Sequence, residues 1–304
     1  MVSRTDVKRL PTWFKIRLTT TKSSSSVRNV IENKKLHTVC SSAGCPNRSE
    51  CWNAGTAAFM ILGNLCSRNC AFCAVPKGRP QDVDWDEPAR VAEAVCALGL
   101  RYAVVTSVTR DDLPDGGAAL FAATIKAIRA RQPGCRIEVL IPDFQGCSTC
   151  LDTVLAAGPD VLNHNLETVP SLYPAVRPQA DYERSLRLIA RASAAGVVTK
   201  SGLMVGLGEE TGELLSVFRD LLGAGCSMLT LGQYLQPGRT SLPVERFYHP
   251  REFDELRGQA LSLGFRSVSA GPLVRSSYHA AEQGTTDPAE RINFKEIQEN
   301  ILEK

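Results

Sequence analysis

The stretch LHTVCSSAGCPNRSECWNAGTAAFMILGNLCSRNCAFC, residues 36–73, holds six of the chain's eleven cysteines. Residues 58–63, AFMILG, read as a buried strand, and a C-x3-C-x2-C triplet, Cys66, Cys70 and Cys73, follows at once. A second triplet, Cys40, Cys45 and Cys51 in C-x4-C-x5-C spacing, lies just before it. Cysteines used as small apolar fillers would be scattered along the chain, so the crowding points to metal chemistry.

Beyond Cys73 the pattern alternates. Further strand candidates are YAVVTSV (102–108), RIEVLIPD (136–143), DVLNHNLE (160–167), TKSGLMVGL (199–207) and SMLTLGQYL (227–235). Between them run helical stripes at i, i+4, i+7: Val91, Val95, Leu98; Phe121, Ile125, Ile128; Leu214, Phe218, Leu221. Strand, helix, strand without interruption implies parallel strands joined by right-handed crossovers, hence a barrel, a partial barrel or a doubly wound sheet. The low-complexity tract TTTKSSSS (19–26) is read as a divider between an N-terminal strap and the cysteine region, and the polar C-terminal stretch from Glu282 as a surface helix or frayed end.

Three thiolates on one tight loop can hold three irons of a cubane cluster and leave the fourth iron open, and thiolate softness favours iron–sulfur chemistry over hard metals. The triplet of Cys40, Cys45 and Cys51 is likewise one ligand short, and a zinc site completed by His37 is an alternative for it.

The C-x3-C-x2-C spacing after the first strand, with Phe72 before the third cysteine, resembles the radical S-adenosylmethionine superfamily. The wider set of words narrows this: LHTVC, ECW, GTAAFMILGNLC, CAFCAV, VVTSVTRDDLPDGG, EVLIPDF, NHNLETVPSLYPAVRP, YERSL, TKSGLMVGLGE, TLGQYLQP and GPLVRSSYHA occur in the order seen in the lipoyl synthase family. That resemblance runs from Trp13 to His279. It implies an α/β fold, a partial (β/α)6 barrel of the TIM type spanning residues 58–264. An N-terminal cluster-binding extension (1–57) and a C-terminal closing segment (265–304) carrying Arg275-Ser276-Ser277-Tyr278 complete it.

The resemblance also implies two 4Fe-4S clusters. Cys66, Cys70 and Cys73 would carry the radical cluster; Cys40, Cys45, Cys51 and Ser277 would carry an auxiliary one, consumed as the sulfur donor. S-adenosylmethionine, two molecules per lipoyl group, would be the co-substrate. Thr106 and Ser107, and Asn165, Glu167 and Arg177, are then candidate contacts to it alongside Phe72, with Gly206 and Gly208 as weaker ones. His164 is read as a structural hydrogen-bonding residue and His37 as a support for the auxiliary loop. The substrate would be an octanoyl group on a lysine of a carrier protein, such as a lipoyl domain of a 2-oxoacid dehydrogenase complex or the H protein of glycine cleavage. Sulfur would enter at C6 and C8, whose unactivated C–H bonds give acid–base chemistry nothing to work on. A ferredoxin- or flavodoxin-type electron donor and an iron–sulfur cluster carrier complete the implied partners.

Three words depart from the family pattern. LTTTKSSSSVRN lacks a usual glycine and tyrosine, VCSSAGC has serines at customary acidic positions, and Ser241 stands where a histidine is frequent. None is a proposed cluster ligand. A biotin-synthase-like enzyme and an iron–sulfur electron carrier are the rival readings; the position of the second triplet speaks against the first, and two clusters each short of one cysteine against the second.

Composition is that of a globular chain, with 43% hydrophobic and 22% charged residues, and a net charge of +3 is too small to argue for nucleic acid. No signal core or spanning run is visible, so a cytoplasmic protein without a membrane segment is expected. Of the remaining cysteines, Cys96 and Cys226 are read as core fillers and Cys135 as the start of a strand. Cys147 and Cys150 form a C-x2-C, the first place to look for a redox effect.

Overall fold

The computed structural model describes residues 9–14 and 21–284. One eight-stranded sheet runs in chain order: β1 (His37–Thr38), β2 (Ala58–Ile61), β3 (Tyr102–Ser107), β4 (Arg136–Leu140), β5 (Val161–Asn163), β6 (Val198–Val205), β7 (Met228–Gln233) and β8 (Ser267–Gly271). Only β1 is antiparallel to its neighbour, and β1 and β8 are the two unjoined edges of a sheet that does not close. Helices α1 (Lys22–Asn33), α2 (Val39–Ser42) and α3 (Arg48–Asn53) precede the barrel. Outside it lie α4 (Glu87–Ala97), α5 (Ala118–Arg131), α6 (Ser148–Ala156), α7 (Tyr173–Val176), α8 (Tyr182–Ala194), α9 (Thr211–Gly223) and α10 (Pro250–Leu263), with α11 (Ala280–Gly284) last. No helix among the described residues is long and apolar enough to cross a membrane.

Strand register sorts the residues into two layers. Phe59, Val105, Val139, Leu162 and Thr199 stand side by side across five strands and are all buried. Because strand side chains alternate, their neighbours face the other way, and Met60, Tyr102, Val104, Thr106, Gly202, Met204 and Thr230 line the inside. The apolar stripes of α4, α5 and α9 close the outer layer: Val91, Val95, Phe121, Ile125, Ile128, Leu214, Phe218 and Leu221 are all buried. Inside the barrel, Glu138 and Lys200 form a fully buried ion pair (3.2 Å) that also takes a hydrogen bond from Tyr102 Oη (2.7 Å) and one from Asn163 Nδ2 (3.0 Å).

Several expectations are corrected. The tract TTTKSSSS is not irregular from Lys22 onward, where it is helical: the Thr21 hydroxyl accepts from the Ser24 amide while Ser24 Oγ accepts from the Thr21 amide, a capping box that starts α1. The fifth strand stops at Asn163, four residues early, since His164 turns into buried contacts and Glu167 takes a left-handed backbone (φ 68°). Residues 267–271 add a parallel strand to the six read from sequence. Cys96 is exposed rather than a core filler, as α4 turns its inner face on Val91 and Val95. Cys226 and Cys135 are buried, the latter just ahead of β4. The expected C-terminal surface helix or frayed end lies, beyond Gly284, outside the described residues.

Candidate active site

A cavity of about 2070 Å³ occupies the barrel mouth, and Cys40, Cys45, Cys51, Cys66, Cys70, Cys73 and Ser277 all line it. The loop after β2 closes on itself where Cys66 N–H donates to Pro76 O (2.9 Å) and Gly78 N–H to Cys66 O (3.1 Å). Neighbouring segments hold it from three sides: Asn69 N–H donates to Gln179 Oε1 (2.6 Å), Ala71 N–H to Val176 O (2.9 Å), and Leu242 N–H to Ala71 O (3.2 Å). Arg68 is its buried anchor. Its guanidinium donates to both Asp111 oxygens (2.6 and 2.9 Å) and to the buried Asp143. Two amides approach sulfur directly, Arg68 N–H toward Cys66 Sγ (3.4 Å) and Val75 N–H toward Cys73 Sγ (3.5 Å).

Of the second triplet, Cys40 sits on α2, Cys51 on α3 and Cys45 in the turn between them. Thr38 caps α2 by accepting from the Ser41 amide (3.3 Å), which fixes the turn carrying Cys40. The segment after β8 is clasped against this region: Asn47 Nδ2 donates to Leu273 O (2.6 Å), and Tyr278 Oη (2.8 Å) and His279 Nε2 (3.1 Å) both meet Glu50 Oε1. The clasp depends on a close approach, since any side chain at Gly232 would collide with the Val274 carbonyl. Both Ser276 and Ser277 line the cavity, and they differ in that Asn165 Nδ2 donates to Ser276 Oγ (2.7 Å), which ties Ser276 to the barrel.

Burial pushes the thiols of Cys40, Cys45, Cys51 and Cys70 up from the usual thiol range and Cys73 up to about 11. Buried thiolates need a compensating positive centre, and the donor set, soft sulfur with amide N–H groups aimed at it, suits an iron–sulfur cluster. Among the described residues no three His, Cys, Asp or Glu side chains converge where one ion could sit, and His37, the zinc alternative's fourth ligand, does not line the cavity. His37 lies in β1, opposite Met60.

The other expected contacts fall at the same mouth with different degrees of freedom. Ser107 Oγ is buried without a partner among the described residues, whereas the Thr106 hydroxyl donates to Leu140 O (3.0 Å). Asn165 is committed to Ser276 and to Glu167 Oε1 (3.1 Å), leaving its own carbonyl oxygen unpartnered. Arg177 Nη1 pins that loop through the carbonyls of Asn165 (2.8 Å) and Leu166 (2.9 Å) and lies over the Tyr173 ring. Phe72 packs with Val176, Leu207 and Tyr234. Gly206 N–H is held by Glu209 Oε1 (2.6 Å), and neither Gly206 nor Gly208 lines the cavity.

Residues 60–221 match the radical SAM superfamily. A lipoyl synthase of Koribacter versatilis is 55% identical over 278 residues, covering 91% of each chain, and one of Chlorobaculum parvum is 54% identical over 93% of this chain and 97% of that one. The chain belongs to the lipoyl synthase family. Among solved structures, methylornithine synthase (TM-score 0.53, 14% identity, 93% of each chain) and SuiB of Streptococcus suis bound to S-adenosylmethionine (TM-score 0.54, 8% identity, 71% of this chain and 51% of that one) share the fold. As a lipoyl synthase the chain is a radical SAM, sulfur-inserting enzyme, with the superfamily's 4Fe-4S cluster and S-adenosylmethionine as its reagents.

Sequence reasoning missed the scaffold of this lipoyl synthase site: Arg68, Asp111 and Asp143 behind the first triplet, Asn47 and Glu50 beside the second. Arg68 lies inside the cysteine motif and was open to notice; the others pair across the fold.

Two buried groups near the site, His164 and Asp143, contribute to the acid limb of stability. Burial, aided by the Arg177 charge, pushes His164 down to about 4, below its ordinary 6.5. Burial alone would raise Asp143, but the Arg68 hydrogen bond and charge outweigh it and hold the carboxyl at about 2. In both cases the unfolded chain binds more protons, so stability is full above the unfolded pKa and falls with pH. His164 removes stability as pH drops from about 6.5 to 4, and Asp143 from about 4 to 2. Urea titrations across this range should show both steps, and His164→Gln should erase the upper one; an upper step unchanged in that variant would refute the assignment.

Proposed function

We propose that the chain converts an octanoyl group, amide-linked to a carrier-protein lysine, into a lipoyl group by inserting sulfur at C6 and C8. In this reading Cys66, Cys70 and Cys73 hold the radical cluster, while Cys40, Cys45, Cys51 and Ser277 hold an auxiliary 4Fe-4S cluster that donates the sulfur. Two S-adenosylmethionine molecules are used per lipoyl group. The observation that carries it is the shared cavity: both cysteine triplets and Ser277 face the same space.

When bound, the radical cluster supplies the electron that cleaves S-adenosylmethionine and so furnishes a radical strong enough to take hydrogen from unactivated carbon. The chain's own residues do the rest. Arg68 and its carboxylate partners fix the cluster loop, Ser107 and Glu167 offer polar groups at the mouth, and Met60, Val104 and Met204 give the acyl chain an apolar wall that excludes water. A mouth left open between the sheet edges suits an acyl-lysine arm brought by another protein, an octanoylated lipoyl domain or H protein. A ferredoxin- or flavodoxin-type donor and a cluster carrier are the further partners this chemistry requires.

The test is anaerobic: reconstituted protein with S-adenosylmethionine, dithionite and an octanoyl-lysyl peptide. Mass spectrometry should find two sulfurs added and two hydrogens lost on the acyl chain, with about two deoxyadenosines per product. Deoxyadenosine without sulfur insertion, in protein loaded with both clusters, would overturn the substrate assignment.

A further inference from the structure

Cys147 and Cys150 are joined by a disulfide, lie outside both triplets and do not line the cavity. Their Cα atoms are 5.4 Å apart, within the span a disulfide bridges. Cys147 is the N-cap of the nine-residue α6, and its sulfur accepts from the Cys150 amide (3.3 Å) and lies 3.2 Å from Thr149 Oγ1. It is half-buried, while Cys150 is buried one turn into the helix. A sulfur at the positive end of a helix, with an amide aimed at it, is stabilised as the thiolate, which is the attacking form.

The pair also closes a turn tied to the cluster loop. Phe144, Gln145 and Gly146 all adopt left-handed backbone (φ 45°, 52° and 83°), held by Gly146 N–H to Asp143 O (2.8 Å) and Cys147 N–H to Phe144 O (2.9 Å). At the head of that turn, Asp143 binds Arg68 and Arg184, and the Arg68 amide approaches Cys66 Sγ.

We propose that Cys147 and Cys150 form a reversible thiol–disulfide site, oxidised by a low-molecular-weight disulfide, whose state is transmitted through the Asp143 turn to the loop that bears Arg68. The Cys147 thiolate attacks the disulfide RSSR, forming a mixed disulfide and releasing one thiolate. Cys150 then gives up its proton and attacks the Cys147 sulfur, closing the intrachain bond and releasing the second thiolate. The pair loses two electrons, and the oxidant leaves as two thiols with the two protons of the cysteines. With the bond closed the N-cap residue that ends the turn is locked to the first turn of α6; with it open, Cys147 is held there by its hydrogen bonds alone, while Gln145 N–H to Asp143 Oδ1 (3.1 Å) and the buried Phe144 ring keep the rest of the turn in place.

The experiment uses cluster-loaded protein, anaerobically, in glutathione buffers from fully reduced to fully oxidised, trapped by alkylation and read by mass spectrometry. A two-electron transition confined to this pair is expected, and in the reduced protein Cys147 should alkylate about tenfold faster than Cys150 at pH 7. A pair that stays in one state across all buffers, or that alkylates at equal rates, overturns the site. Amide exchange at Gly146, Cys147 and Arg68 should be about tenfold slower in the oxidised than the reduced wild type, and equal in both buffers for Cys150→Ser. Unchanged exchange in the wild type overturns the coupling to the cluster loop.

Discussion

Replacing Ser277 by alanine lowers lipoyl product at least about 100-fold, yet deoxyadenosine is still released. Outer contacts of a metal site already cost 10- to 100-fold when removed, and Ser277 is proposed as a direct ligand. The geometry makes the effect specific. Both serines sit on a segment clasped by Asn47 and Glu50 and line the cavity, but the Ser276 hydroxyl is already bound to Asn165. In the proposed auxiliary cluster an oxygen donor among soft thiolates would also be the mismatched corner, suited to a cluster that gives up its sulfur. Ser276→Ala should therefore cost about fivefold, the worth of one hydrogen bond. Product and deoxyadenosine are counted together by mass spectrometry, with Mössbauer spectra following the auxiliary cluster. Product within tenfold of wild type in Ser277→Ala would remove the serine from the ligand set.

The second large effect is on stability. Glu138→Ala should lower the unfolding free energy by about 3–5 kcal/mol, because it strands the fully buried Lys200 ammonium and unpairs Tyr102 and Asn163 as well. Lys200→Met should cost a similar amount by stranding the carboxylate. The double variant Glu138→Leu with Lys200→Met removes both charges and should cost less than half the sum of the singles. Urea unfolding of the three variants decides it. Additive losses would mean that the pair is not coupled and that each residue acts through its packing alone.

What could be read from the sequence follows from how local each signal is. Strands β2, β3, β4, β6 and β7 announce themselves because parallel strands buried on both faces must be continuous apolar runs. Strand β8 did not, since of Ser267–Gly271 only Val268 is buried. Strand β1 is two residues long, too short for any period. The serine run of α1 resembles a linker by composition, and its helix rests on a cap at Thr21 together with buried Val27 and Ile31. At the site, the two triplets are spacing motifs and were legible as metal chemistry, but Ser277 was legible only through family resemblance. The anchors Asp143, Asn47 and Glu50 look like any surface polar residue until the fold brings Arg68, Leu273 and Tyr278 against them.

The two triplets differ in when they can become complete. Cys66, Cys70 and Cys73 share one loop, so a nascent chain has all three as soon as that loop leaves the ribosome. The clasp around Cys40, Cys45 and Cys51 joins residues 226 and 228 positions apart, and Ser277 lies beyond β8, the last strand among the described residues. The proposed second ligand set can therefore be complete only once the segment after β8 has been made. If these residues hold the proposed auxiliary cluster, its installation would follow the making of β8, and the closing segment, lying past the sheet's edge strand, could open for it while the strands stay paired.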